Sequence, residues 1–182
     1  NRHALQKQLL VEGDRIRRYA KRKSTKMQVS IAFMDLDNFK YYNDTFGHNA
    51  GDLFITCFAK LLKNTCRQVD FISRFGGDEF VVVMTDTNET ESCRVYERLK
   101  EALAKEEYFI PQLRNLLGVN TLEIPSNRYL GFSMGICTNY DIEDASDLNA
   151  VLKNADKALY HSKETCKGTC TIWSDIKDKV QK

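Results

Sequence analysis

Four acidic residues stand where neighbouring apolar runs would predict hydrophobic ones. Asp35 and Asp37 close the run 29–35 (VSIAFMD), and Asp78 and Glu79 sit between the runs 69–73 and 80–84. In a strand, side chains two apart share a face, so Asp35 and Asp37 fall on one side if the strand continues that far. If that strand lies beside the later hairpin, Asp35 and Asp78 converge. Converging carboxylates repel unless a cation sits between them. Oxygen donors of this kind suit Mg²⁺ or Mn²⁺, bound through one or two carboxylates together with substrate phosphates. That is a phosphoryl- or nucleotidyl-transfer site in outline. The plainer reading is that each acid caps a strand or decorates a turn.

The pair Gly76-Gly77 also has two readings. It makes the turn, or it clears side chains so that a nucleotide can lie across the backbone. Between the first strand and the next helix the chain reads NFKYYNDTFGHNAGD, residues 38–52. Asp52 can cap the following helix. A carboxylate can also accept from guanine N1–H and the exocyclic amine, while an Asn amide meets the base's acceptors. Asn43 and Asp52 together can therefore read guanine.

The elements that must position these residues follow from periodicity. Residues 1–22 form a helical stripe with a basic turn at 21–26 after it. The run 29–35 is a strand covered on both faces. Residues 51–65 give an amphipathic helix. The runs 69–73 and 80–84, joined across Gly76-Gly77, give a hairpin. Helix 89–105, strand 129–138, helix 145–163 and an edge strand 169–173 follow. The segment 106–128 fits no element, and the charged tail after 174 reads as frayed. Strands interleaved with helices around an antiparallel pair predict a mixed sheet with helices packed on it.

Composition bounds the function. Hydrophobic residues make up 42% and charged residues 29% of the 182 residues, as in an ordinary globular domain. Twenty-seven Lys+Arg against 25 Asp+Glu leave a net charge of +2, which argues against a polycationic nucleic-acid binder. No stretch is long and apolar enough for a transmembrane helix, and the first residues lack a signal-peptide core. The cysteines at 57, 66, 93, 137, 166 and 170 read as free thiols in a reducing, cytoplasmic compartment. Cys166, Cys170 and His161 hint at a metal site, but zinc prefers a fuller ligand set. The chain begins at Asn1 and reads as part of something longer.

These stretches together resemble the GGDEF family of diguanylate cyclases. The naming motif stands complete as Gly76-Gly77-Asp78-Glu79-Phe80, preceded by Arg74-Phe75. The run MDLDNFKYYNDTFGHNAGD, 34–52, matches a second signature, and Ala155-Asp156-Lys157-Ala158-Leu159-Tyr160 matches a third. Asn1-Arg2 looks like the end of an opening motif. The resemblance covers nearly the whole chain, which it divides into a domain at 1–174 and a tail at 175–182.

The resemblance implies an α+β, palm-like nucleotide-cyclase fold, with a central mostly antiparallel sheet surrounded by helices. It implies condensation of two GTP into cyclic di-GMP and two pyrophosphates, each 3′-hydroxyl attacking the α-phosphate of the other nucleotide across a homodimer. By position, Asp35, Asp78 and the backbone carbonyl of Leu36 would bind two divalent ions, Mg²⁺ or Mn²⁺. Glu79 would assist the attacking hydroxyl. Asn43 and Asp52 would recognise guanine, with Gly76 and Gly77 beneath the nucleotide. Phe39, Lys40 and Lys157 would meet the phosphates. His161 takes a place where the family has Arg, and lacks that residue's fork and permanent charge. Arg67 and Asp70 match the product-inhibition motif, against the plainer reading of a surface ion pair. An insertion near 106–128 departs from the pattern, and the Gly-Arg-Asn of the family is altered to Gly168-Thr169-Cys170. An upstream sensory domain is expected, with no nucleic-acid or membrane contact by this domain. The alternative is a catalytically silent domain that senses GTP or cyclic di-GMP.

Overall fold

The computed structural model describes residues 1–22, 27–105 and 109–180. Strand β1 (Val29–Asp37) is its centre, with all nine residues buried. Ala32, Met34 and Leu36 enter one apolar cluster, while Val29, Ile31 and Phe33 enter another. Two covered faces explain why the strand reads as one apolar run. Strands β2 (Phe71–Gly76), β3 (Glu79–Thr85), β4 (Gly131–Thr138) and β5 (Cys170–Ile172) complete a sheet in the order β2-β3-β1-β4-β5. β1 pairs antiparallel with β3 and β4, and only β5 joins in parallel. The fold is α+β with a mixed, mostly antiparallel sheet, as expected.

Helices cover each face. On the first lie α2 (Phe39–Phe46), α3 (His48–Thr65), α4 (Glu89–Ala104) and α5 (Ile110–Leu117). On the second lie α1 (Arg2–Arg22), α6 (Leu148–Thr165) and α7 (Trp173–Val180). Phe54 of α3 sits among Phe39, Tyr42 and Phe109, with ring centroids 5.4–6.4 Å apart. Tilted aromatic contacts of this kind add to the burial energy. A capping box of Asn88 and Glu91 starts α4, and the Asp147 carboxylate caps α6. α6 lies hard against β4 at Gly135, where a Cβ would fall 2.1 Å from the Leu159 nitrogen and 2.2 Å from the Ala155 oxygen. Only glycine permits that approach.

The structure departs from expectation in four places. The irregular-looking segment after β1 contains α2. α3 begins at His48 with Gly47 as its N-cap, so Asp52 lies inside the helix and caps nothing. The tail is not frayed: α7 runs to Val180, buries Trp173 and Ile176, and bonds Ser174 Oγ to the Glu89 carboxylate. The boundary placed at 174 therefore cuts a packed helix. The segment 106–128 holds α5, which buries Leu113, leaves Leu116 exposed, and stops at Gly118 in the left-handed region (φ 67°), with Val119 exposed after it. A short 3-10 turn, Ser126–Arg128, follows it. Residues 23–26 of the basic turn and 106–108 of the insertion lie outside the described residues. All six cysteines are free. Among the described residues no group of three metal-ligating side chains includes Cys166, Cys170 and His161.

Candidate active site

The odd-numbered face of β1 is apolar through Phe33 and then carries Asp35 and Asp37, both buried. The strand thus delivers two carboxylates to the edge of the second core. Register places Glu79 of β3 and Ser133 of β4 directly opposite Asp35 on either side. Opposed residues of an antiparallel pair share a face, so Glu79 and Asp35 are side by side. The β2–β3 turn is fixed to β1 by the Leu36 amide, which donates to the Asp78 carbonyl at 3.2 Å. Arg74 Nε closes the same turn on the Gly77 carbonyl at 2.9 Å. Asp35 and Asp78, distant in sequence, do converge.

α2 starts immediately after β1 through Asn38, whose left-handed backbone (φ 62°) makes the sharp corner. The Asn38 amide nitrogen donates to the Tyr129 carbonyl at 2.9 Å and holds that corner in place. The first amides of a helix have no intrahelical acceptor, and here Phe39, Lys40 and Tyr41 supply them beside the carboxylates. An open cleft of about 250 Å³ results, lined by Asp35, Leu36, Asp78, Phe39 and Lys40 among others. Lys163 and Lys167 line it too.

The electrostatics are unbalanced. Lys163 Nζ lies 2.6 Å from Asp35 Oδ2. Even so, burial pushes the Asp35 carboxyl up to about 6, with Asp78 and Asp37 adding to the rise against Lys163. Burial also raises Asp37, opposed by the Ser133 hydroxyl, which donates to its Oδ1 at 2.9 Å, and by Lys167. A short bond to an ammonium normally holds an aspartate low. That it fails here shows how strongly the site disfavours its own negative charge. A hard cation would relieve that strain, and the oxygen donors of Asp35, Asp78 and Leu36 suit Mg²⁺ or Mn²⁺.

Each expected site residue has a definite place. Asp35, Leu36, Phe39, Lys40 and Asp78 line one cleft, and Glu79 adjoins it. Gly76 leaves room for Glu79, because a Cβ there would stand 3.2 Å from Glu79 Oε2 and 3.4 Å from Arg2 Nη2. Gly77 differs: a Cβ there would meet nothing within 4 Å. The fold does not need Gly77 bare, and the space above it is open. Asn43 packs on Gly51, where a Cβ would fall 2.0 Å from Asn43 Oδ1, so its amide lies beside the residue preceding Asp52.

Lys157 and His161 are not brought to the cleft. The Lys157 ammonium lies 5.3 Å from the centroid of the Trp173 ring, as a cation–π pair with α7. His161 is half-buried, and its Nδ1 has no hydrogen-bond partner. The cleft is reached from α6 by Lys163, in the last turn, and by Lys167 just beyond. Both were missed in the sequence. A lysine ending a helix there reads as an ordinary complement to the helix dipole. Arg67 and Asp70 form an ion pair (3.5 Å) away from this cleft, with the Arg67 amide donating to Asp70 Oδ2 at 2.8 Å. Arg67 also lines a small pocket with Arg94 and Arg98 of α4.

Residues 1–169 match the family model described as "Diguanylate cyclase, GGDEF domain". The chain belongs to the GGDEF family of diguanylate cyclases. It is 34% identical over 147 residues to diguanylate cyclase A of Treponema denticola, covering 81% of this chain and 36% of that protein. It is 36% identical over 137 residues to diguanylate cyclase DgcP of Escherichia coli, covering 75% of this chain and 36% of that protein. The chain thus spans about a third of these relatives' length. A sensory box/GGDEF family protein of Caulobacter crescentus shares the fold with a TM-score of 0.67 and 29% identity, over 91% of this chain and 93% of that one. No described helix is long and apolar enough to cross a membrane.

Proposed function

We propose that this domain condenses two GTP into cyclic di-GMP and two pyrophosphates. The observation that supports it most is the meeting of Asp35, Leu36 and Asp78 with Lys40, Lys163 and the first residues of α2 in one cleft. Acids alone would repel a triphosphate, and cations alone would bind it without activating anything. Asp35, Asp78 and Leu36 would hold two Mg²⁺ or Mn²⁺ ions, which supply charge neutralisation for the leaving pyrophosphate and polarise the attacking hydroxyl. The α2 amides and Lys40 bind the β- and γ-phosphates, as a helix N-terminus favours anions. Lys163, which lines the same cleft, would add its charge for phosphate. Glu79, beside Asp35, accepts or orients the 3′-hydroxyl proton. The open space over Gly77 would admit the nucleotide, and Asn43 with Asp52 would read guanine.

One cleft holds one GTP, so the two hydroxyls must attack across a homodimer of facing domains. Product feedback acts at Arg67 and Asp70, where Arg94 and Arg98 add positive charge for phosphate. The free thiols fit a reducing cytoplasmic compartment, and an upstream sensory domain would control dimerisation.

Product analysis tests this reading. Concentrated protein with GTP and Mg²⁺ should yield cyclic di-GMP by mass, and Glu79→Ala should not. GTP binding without product, also in a fusion that forces dimerisation, would replace the cyclase with a nucleotide sensor.

A further inference from the structure

The insertion between α4 and β4 ends at the cleft. Arg128, the last residue of the 3-10 turn, lines it alongside Asp35, Lys40, Asp78, Lys163 and Lys167. Its guanidinium lies 5.5 Å from the centroid of the Tyr41 ring, on the first turn of α2. The turn is fastened by main-chain atoms: Tyr42 Oη donates to the Arg128 carbonyl at 3.0 Å, and Asn38 Nδ2 donates to the next carbonyl, that of Tyr129. Tyr42, which supplies this anchor, is fully buried. The Arg128 side chain itself is exposed, and among the described residues it forms no ion pair. Lys163, by contrast, is committed to Asp35. An anchored backbone, a guanidinium without an ion pair and an aromatic ring beside it on the first turn of α2 are what a side chain kept available for an anion has.

We infer that Arg128 is a binding residue for the terminal phosphates of the nucleotide, supplied to the cleft by the insertion, and that it makes the domain prefer GTP over GDP and GMP. This rests on the GTP reading above. The guanidinium adds a permanent charge and a two-pronged donor to the cleft that Lys163 and Lys167 also line. Its contribution therefore scales with phosphate charge and falls as salt rises.

Equilibrium binding of GTP, GDP and GMP with Mg²⁺, to the parent chain and to Arg128→Gln and Arg128→Lys, tests the inference. Glutamine should weaken GTP roughly tenfold, as loss of a charge-assisted bond does, and GDP less. GMP should stay within about twofold, and lysine should restore part of the loss. The thermal midpoint should not move, because the anchoring carbonyl remains. Unchanged GTP affinity in Arg128→Gln, with the parent still binding GTP, would overturn the inference alone. An equal loss for GMP would overturn it as well, by showing a general disturbance of the cleft. No GTP binding by the parent would instead overturn the nucleotide reading on which it stands.

Discussion

Arg67 and Lys163 each pair with an aspartate, near opposite ends of the sheet, and the two pairs differ in what they leave over. Arg67 sits before β2. Its guanidinium donates to the Thr85 carbonyl at 3.0 Å and to the Thr87 hydroxyl, while its own amide satisfies Asp70 Oδ2. The Asp70 side chain is only 1% exposed. The guanidinium's bonds and Asp70 Oδ2 close the loop between α3 and β2, and Asp70 Oδ1, without a hydrogen bond, keeps only the ion pair with Arg67. Lys163 makes one short bond in the midst of three acids, and Asp35 remains raised to about 6 despite it. Identical chemistry thus serves as a fastening in one place and as an unfinished charge balance in the other. Unfinished balance is what a site for cations and phosphates needs before its ligands arrive.

The contrast can be broken most directly at the carboxylates. Asp78→Asn should reduce cyclic di-GMP formation by roughly a thousandfold or more, since several kcal/mol of charge stabilisation would be lost. The fold should survive, because it is the Asp78 carbonyl, not its side chain, that holds Leu36. Full turnover in that variant would remove the acids from the chemistry. Next comes the lysine pair on α6. Lys163→Ala should weaken GTP binding by roughly tenfold, and Lys157→Ala by less than about twofold, as measured by calorimetry. The reverse ranking would restore the residue that the motif suggested.

Arg67→Ala should lower stability by about 1–3 kcal/mol, more than an exposed ion pair is worth, because the Thr85 carbonyl and the Thr87 hydroxyl lose their guanidinium partner while Asp70 keeps only the amide of residue 67. Denaturant titration reads that directly. The same variant should lose product feedback, and retention of feedback would confine Arg67 to its structural task. The smallest effect is on pH. An aspartate whose folded-state value is raised from 3.8 to about 6 binds protons more readily folded than unfolded. Metal-free protein should therefore lose stability as pH rises from about 4 to 6, and Asp35→Asn should flatten that slope. A thermal midpoint that rises with pH over this window in the parent would contradict the burial of Asp35.

Much of this was legible in the sequence for a physical reason. β1, the hairpin and α6 carry long apolar periods, and packing follows such periods closely. The meeting of Asp35 with Asp78 required only that β1 lie beside the hairpin. Other features were hidden because they depend on tertiary position. α2 is short, polar at its end, and bounded by a left-handed Asn38 and by Gly47, so it resembled a loop. Asp52 looked like a cap because helices commonly start at such residues, yet the chain begins α3 four residues earlier. Lys157 stood inside a recognisable motif, while α7 packs against its part of α6 and draws it onto Trp173. The fold of α7, read as a frayed tail, was the missing information. Residues 106–128 gave no sign that their end would turn back onto α2.

The close seating of α6 on Gly135 ties the core to the site mechanically. A single methyl group at 135 would collide with helix backbone at three points, at Leu159, Ala155 and Ala158, and none can yield as a side chain would. α6 would have to move as a body, by more than about 1 Å, to restore ordinary contact with the Leu159 nitrogen and the Ala155 oxygen. Lys163 rides on the end of that same rod, so its ammonium would be carried along relative to Asp35. The glycine in the sheet thus works as the fulcrum of a lever, and the tolerance for error in the cleft is set deep inside the protein.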